Sequence, residues 1–158
     1  MNDTKSKKRA QASFELLITL SIALAILLPI VAFAFLQLAN SNASLSSIEA
    51  QQAASKLSSV ATLVGSEGPP AKQLVEVQIP PGVANIYVGN LINGVGHEII
   101  FTVRTPSGTS YVTSYSPVNV SGQLGGISLP GTYLVNVTAY SVCPFRVPVP
   151  CIYMVPVV

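Results

Sequence analysis

The stretch KKRAQASFELLITLSIALAILLPI, Lys7 to Ile30, opens with a basic cluster, passes through a short step ending at Glu15, and then becomes apolar. From Leu16 to Ala39 there are 24 residues without a charge, interrupted only by Thr19, Ser21, Pro29 and Gln37. At about 1.5 Å per residue this is roughly 36 Å of helix, enough to cross the hydrocarbon core of a bilayer. A secretory signal peptide has an apolar core of only about 7 to 15 residues, so the run is read as a membrane span, 16–39. The positive-inside rule then places residues 1–10 in the cytoplasm and everything after Ala39 outside. Pro29 is tolerated in membrane helices and tight bundles, where neighbouring groups satisfy the carbonyl it frees.

Composition agrees with a chain that partly leaves water: 49% of the 158 residues are hydrophobic and 9% are charged. Lys5, Lys7, Lys8 and Arg9 are four of its eight basic residues. Beyond residue 10, four basic side chains face five acidic ones, so the basicity belongs to the leader. Nucleic acid binding, which needs a basic face on the folded domain, is excluded.

Residues 40–64 contain no Gly or Pro, and Leu45, Ile48, Leu57, Val60 and Val64 fall mostly at helical spacing. A helix over 11–64 is expected, with room for a break at Asn40 to Asn42. It either extends as a rod or lies on the surface of its own domain. GSEGPP, 65–70, ends the pattern and opens a linker over 65–72. From Gln73 onward, short segments rich in Val, Ile, Thr and Tyr alternate with PPG, NG, PSG, GG and LPG. Val75, Val77 and Ile79 share a face, as do Ile99, Phe101 and Val103, and Tyr133, Val135, Val137 and Ala139. The expected class is α+β: a long N-terminal hydrophobic helix followed by a small antiparallel β-sandwich, Ig-like, of about six to eight strands over 73–158. Tyr87, Tyr111 and Tyr115 are expected in its core, with exposure for adhesion as the alternative. The final IYMVPVV is either a last strand or a tail that pairs with a neighbour; Pro156 suits an edge.

Cys143 and Cys151, in CPFRVPVPC, are too far apart for a redox pair and have no companion ligands for zinc. A disulfide is the reading, contributing about 2 to 3 kcal/mol and implying an oxidising compartment; two reduced core cysteines are the alternative. Asn42, Asn119 and Asn136 begin Asn-x-Ser/Thr sequons and are candidate N-glycosylation sites. Asn136 and Thr138 alternate away from the apolar face of their strand, so this sequon points outward. No motif pairs a nucleophile with a base, and no metal or cofactor is expected, so the chain is read as non-enzymatic. His97 beside Glu98 is read as the polar start of a strand, and GSEGPP as a linker rather than a phosphate loop.

Glu15 admits a local explanation: Ser13 caps a helix and Glu15 sits in its first turn, favoured by the helix dipole by about 0.3 to 1 kcal/mol. That leaves unexplained why the basic cluster ends at Ala10, a small residue a peptidase at the cytoplasmic membrane face can cut beside. KKRA followed by QASFE resembles the class III signal peptide of archaeal type IV pilin-like proteins, with Gln11, Ser13 and Glu15 matching the Q-x-S-x-E start. The match covers roughly residues 7–39 and departs at Thr19, where the family has leucine. The resemblance implies cleavage between Ala10 and Gln11 by a prepilin peptidase, the motif comprising Lys7, Lys8, Arg9, Gln11, Ser13 and Glu15. Glu15 becomes the fifth residue of the mature chain, pairing with a neighbouring subunit's new N-terminal amine during assembly. Such a partner relieves the cost of burying a carboxylate among apolar helices. The implied product is a homo-oligomeric helical filament outside the cell, used for surface adhesion. Its partners are the peptidase, a pilus assembly ATPase and a membrane platform protein. Small residues at Ser21, Ala23, Ala25, Ala32 and Ala34 permit close helix packing, in a filament or in a membrane alike. The competing expectation is an uncleaved, membrane-anchored surface domain acting as an adhesin or envelope component.

Overall fold

The computed structural model describes residues 3–90, 94–106, 108–144 and 148–157, with side chains from Phe14 onward. Helix α1 (Asp3–Glu67) is followed by β1 (Lys72–Ile79), β2 (Val83–Val88), β3 (Gly96–Thr105), β4 (Gly108–Gly122), β5 (Gly131–Tyr140) and β6 (Cys151–Val157). The chain divides into two compact units, Met1–Ser41 and Asn42–Val158.

In the first unit every described side chain, from Phe14 to Ser41, is exposed. The helix is long and apolar enough to cross a membrane, and none of its most apolar stretch is buried. Two of the polar side chains in the run are satisfied locally: Thr19 Oγ1 donates to the Glu15 and Leu16 carbonyls and Ser21 Oγ to that of Leu17. No break occurs at Asn40 to Asn42, where α1 continues. Asn and Ser cost a helix only tenths of a kcal/mol each, far less than the Gly or Pro that are absent here.

The second unit begins inside the helix. Ala50, Ala53, Ala54, Leu57, Ala61 and Val64 are buried at spacings of three and four, while Leu45 and Ile48 are exposed. Alanine therefore makes most of the contact, and small side chains let the helix come close to the sheet beneath it. At Gly65 the approach is close: a Cβ there would lie 2.9 Å from Val118 Cγ1 of β4. The helix ends at Glu67, and the expected 65–72 linker shortens to Gly68–Ala71, with the Ala71 N–H donating to the Gly68 carbonyl at 2.8 Å.

The strands form one six-stranded sheet in the order β1-β5-β6-β4-β3-β2. All pairings are antiparallel except β4 with β6, which run parallel over Val120–Gly122 and Ile152–Met154. The expected antiparallel sandwich is thus replaced by a single mixed sheet whose second layer is the helix. Alternation along a strand reports one buried face, and a helix can cover that face as well as another sheet can. The predicted inward residues hold: Val75, Val77, Ile79, Ile99, Phe101, Val103, Val135, Val137 and Ala139 are all buried, with Tyr133 packed partly against them.

The C-terminal strand lies inside the sheet. It joins the β2-β3-β4 meander to the β1-β5 pair, so the last residues of the chain complete the head. Pro156 falls beyond the three-residue ladder to β4, where β6 has β5 alone beside it. If the alanine-and-leucine stripe joins helix to sheet, Leu57→Ala lowers the stability of the unit by about 2 to 5 kcal/mol. Leu45→Ala, on the exposed side of the same helix, changes it by less than about 0.5 kcal/mol. Chemical denaturation followed by tyrosine fluorescence reads both.

Candidate functional site

The basic leader and pentad lie in the helix. The backbone from Lys7 to Ser13 is helical, while the side chains of Lys7, Lys8, Arg9, Ala10, Gln11 and Ser13 lie outside the described residues. Because α1 starts at Asp3, Ser13 does not cap it, and Glu15 sits about three turns in. The dipole effect fades within the first turn, so that explanation of Glu15 fails for the intact chain. Its side chain is exposed at the start of the apolar run.

Cys143 and Cys151 form a disulfide with Cα atoms 5.3 Å apart across a sequence separation of 8. The Cys143 N–H donates to the Val149 carbonyl at 3.0 Å, and both cysteines are buried. The bond closes the connection from β5 to β6 at the point where the joining strand begins.

His97 does more than begin a strand. The β3-β4 ladder runs to Glu98 opposite Tyr115 and resumes at Gly96 opposite Val120, so Ser116 to Asn119 of β4 bulge out with His97 alone facing them. Two backbone acceptors at this point are taken up by side chains. His97 Nδ1 hydrogen-bonds the Ser116 carbonyl at 3.0 Å, which requires that nitrogen to carry the proton. The Ser58 hydroxyl of the helix donates to the Tyr115 carbonyl. The His97 and Tyr115 rings stack with centroids 5.8 Å apart. Past the bulge, β4 takes β6 as its parallel neighbour. Cavities of about 360 and 420 Å³ flank the imidazole, the first lined by Pro117, Asn119, Tyr140 and Pro150, the second by Asn90, Glu98 and Ile100. Nothing in the lone His-Glu pair of the sequence marked this bulge, which depends on the register of a strand distant in sequence.

The sequons differ. Asn42 is exposed on α1. Asn119 is half-buried and its Nδ2 donates to the Pro150 carbonyl at 3.3 Å, so that amide already serves the fold. Asn136 stands between buried Val135 and Val137 and points outward, its Oδ1 accepting from the Thr138 hydroxyl at 3.2 Å.

Tyr87, Tyr111 and Tyr115 are 37%, 69% and 67% exposed, which overturns their assignment to the core. Tyr111, Thr113 and Tyr115 alternate with buried Val112 and Ser116 and so face outward. The parity was legible only through Val112, the one apolar inward residue of that stretch. On the other half of the sheet, the Tyr153 hydroxyl is held above its ordinary value of 10.0, first by burial and then by repulsion from Tyr140. Among the described residues no three His, Cys, Asp or Glu side chains are grouped to hold a metal. No family model, curated protein or solved structure matches this chain.

Replacing both Cys143 and Cys151 by alanine lowers stability by about 2 to 3 kcal/mol, and calorimetry reads the drop in Tm. For Tyr153, a raised value in the fold means stability present below about pH 10 and lost as pH rises through that raised value. Tyr153→Phe therefore flattens the alkaline limb of a stability-pH curve.

Proposed function

We propose that this chain is the precursor of a structural subunit of an extracellular archaeal type IV pilus-like filament. One observation carries the reading: a basic leader and a Q-x-S-x-E start stand at the head of a helix whose described side chains to residue 42 are all exposed. A disulfide-closed sheet follows in the same chain. An apolar helix of this length needs lipid or copies of itself around it, and a subunit that moves from membrane to filament uses each in turn.

In this reading the leader holds the precursor with its N-terminus in the cytoplasm, and a prepilin peptidase cuts between Ala10 and Gln11. The cut removes the helical turns that precede Gln11 and creates a charged amine. Glu15, about one turn from the new end, becomes the partner for the amine of a neighbouring subunit. Helices then stack at the centre of the filament, and the sheet units form its outside and supply adhesion. An assembly ATPase and a membrane platform protein drive the step from bilayer to filament, since a chain of this kind has no motor of its own.

Mass spectrometry of N-terminal peptides tests the cut. Material sheared from cells is expected to begin at Gln11, whereas an intact leader with all protein left in membranes contradicts the reading and leaves an anchored surface domain. Glu15→Gln keeps the shape and removes the charge. The variant is still cut, but sheared filament falls by at least about tenfold, because unpairing a buried charge costs about 3 to 5 kcal/mol.

A further inference from the structure

The three exposed tyrosines share the outer face of β2, β3 and β4, and strand register sets their spacing. Tyr111 and Tyr115 are four residues apart on β4, about 13 Å along the strand. Between them stands Thr113, opposite Ile100 of β3, which in turn stands opposite Tyr87 of β2. Two strand spacings put Tyr87 about 10 Å from Thr113, so the Cα positions of the three tyrosines form a triangle with sides of about 12 to 13 Å. Tyr115 is further steadied by its stack on His97.

The ground between the rings is Ile100, flanked by Thr102 and Thr113, with Glu98 opposite Tyr115. Asn85 and Thr102 lie beside Tyr111 in register; the Thr102 hydroxyl is buried, and the Asn85 Oδ1 accepts from the Ile86 N–H at 2.9 Å, leaving its Nδ2 as the donor on this face. In β2, β3 and β4 the one carboxylate, Glu98, and the one guanidinium, Arg104, sit at opposite ends of β3, about 20 Å apart, with the His97 imidazole beside Glu98. Such a face offers no concentrated field to draw an anionic or cationic polymer. Its apolar centre is the single Ile100 side chain with threonine and asparagine around it, less than the contiguous apolar patch that a docked protein buries. Isolated flat rings with hydroxyl and amide groups between them complement a ligand with flat apolar ring faces and a hydroxylated, uncharged edge. That is the chemistry of a pyranose chain.

We propose that the Tyr87-Tyr111-Tyr115 face binds a neutral polysaccharide, stacking its sugar rings on the tyrosines while Thr113, Asn85 and Glu98 accept or donate hydrogen bonds to its hydroxyls. The match is one of charge and shape: a neutral polymer meets, at three aromatic points, a face whose one carboxylate and one guanidinium are far apart and of opposite sign. This names the ligand class of the adhesion proposed above. It rests on that reading only for the unit facing the exterior, and its test needs no filament.

The test uses the full chain in a detergent without a sugar headgroup, run on native gels containing hydroxyethyl cellulose, galactomannan or anionic carboxymethyl cellulose. Retardation in at least one neutral gel is expected. Tyr111→Ala, at the most exposed ring, weakens it by about tenfold, the combined Tyr87→Ala, Tyr111→Ala, Tyr115→Ala chain weakens it further, and Tyr140→Ala on β5 leaves it unchanged. No retardation in either neutral gel, retardation by the anionic polymer alone, or equal retardation of the wild type and Tyr111→Ala overturns the proposal. Loss of filament assembly in Tyr111→Ala, with no retardation by a neutral polymer, overturns it by assigning the face to a second copy of the chain. A null result here leaves cleavage and assembly standing, because neither is needed for a detergent-held chain to bind sugar.

Discussion

An apolar helix with nothing laid over it is the constraint on which the rest depends. Each Å² of apolar surface left in water costs about 25 cal/mol, and from Phe14 to Ser41 every side chain is exposed. The chain therefore requires an external cover. Under the proposed function lipid supplies one, with the basic residues before the run setting the orientation there. Under the proposed function, copies of the same helix supply the other, and the carboxylate of Glu15 becomes tolerable at that centre because a cut before Gln11 provides an amine to meet it.

The same helix serves a second purpose beyond residue 42. Its alanine stripe turns a sheet with one apolar face into a two-layered domain, so the segment that leads away from the apolar run is itself part of the head's core. The C-terminal strand completes that core by joining the two halves of the sheet, with the disulfide fastening its first residue. The His97 bulge lies just before β4 gains β6 on its other edge at Val120; its imidazole takes up the Ser116 carbonyl, and the Ser58 hydroxyl takes up that of Tyr115 beside it. A domain assembled from distant ends of the chain in this way is tied to the helix that carries it.

Much of this was legible in residue order. Uncharged length identified the apolar helix, period-two alternation identified the buried faces of β1, β3 and β5, and the spacing of Cys143 and Cys151 identified the disulfide. The misreadings share a cause: patterns report which side is buried and say little about what buries it. Alternating strands suggested a second sheet, whereas the cover is Ala50, Ala53, Ala54, Leu57, Ala61 and Val64, a stripe muted in the sequence because alanine is only weakly hydrophobic. Leu45 and Ile48 attracted attention by hydrophobicity and are exposed. The outward tyrosines of β4 were hidden by the lack of apolar neighbours to mark parity. The bulge at His97 depends on pairing with residues about twenty positions away, which no local pattern contains. Under the proposed function the start at residues 11–15 is a chemical signal read by another protein, so its meaning lies outside the packing rules that the rest of the chain obeys.

The most direct measurement is an electron cryo-microscopy reconstruction of material sheared from cells that make this protein. The account predicts a filament in which residues 16–39 of each subunit pack at the centre against the same residues of its neighbours. Glu15 lies there within hydrogen-bond reach of a neighbouring Gln11 amine, and the sheet units lie outside. Surface material without a filament of this chain, or a filament whose centre is formed by anything other than this helix, would contradict it.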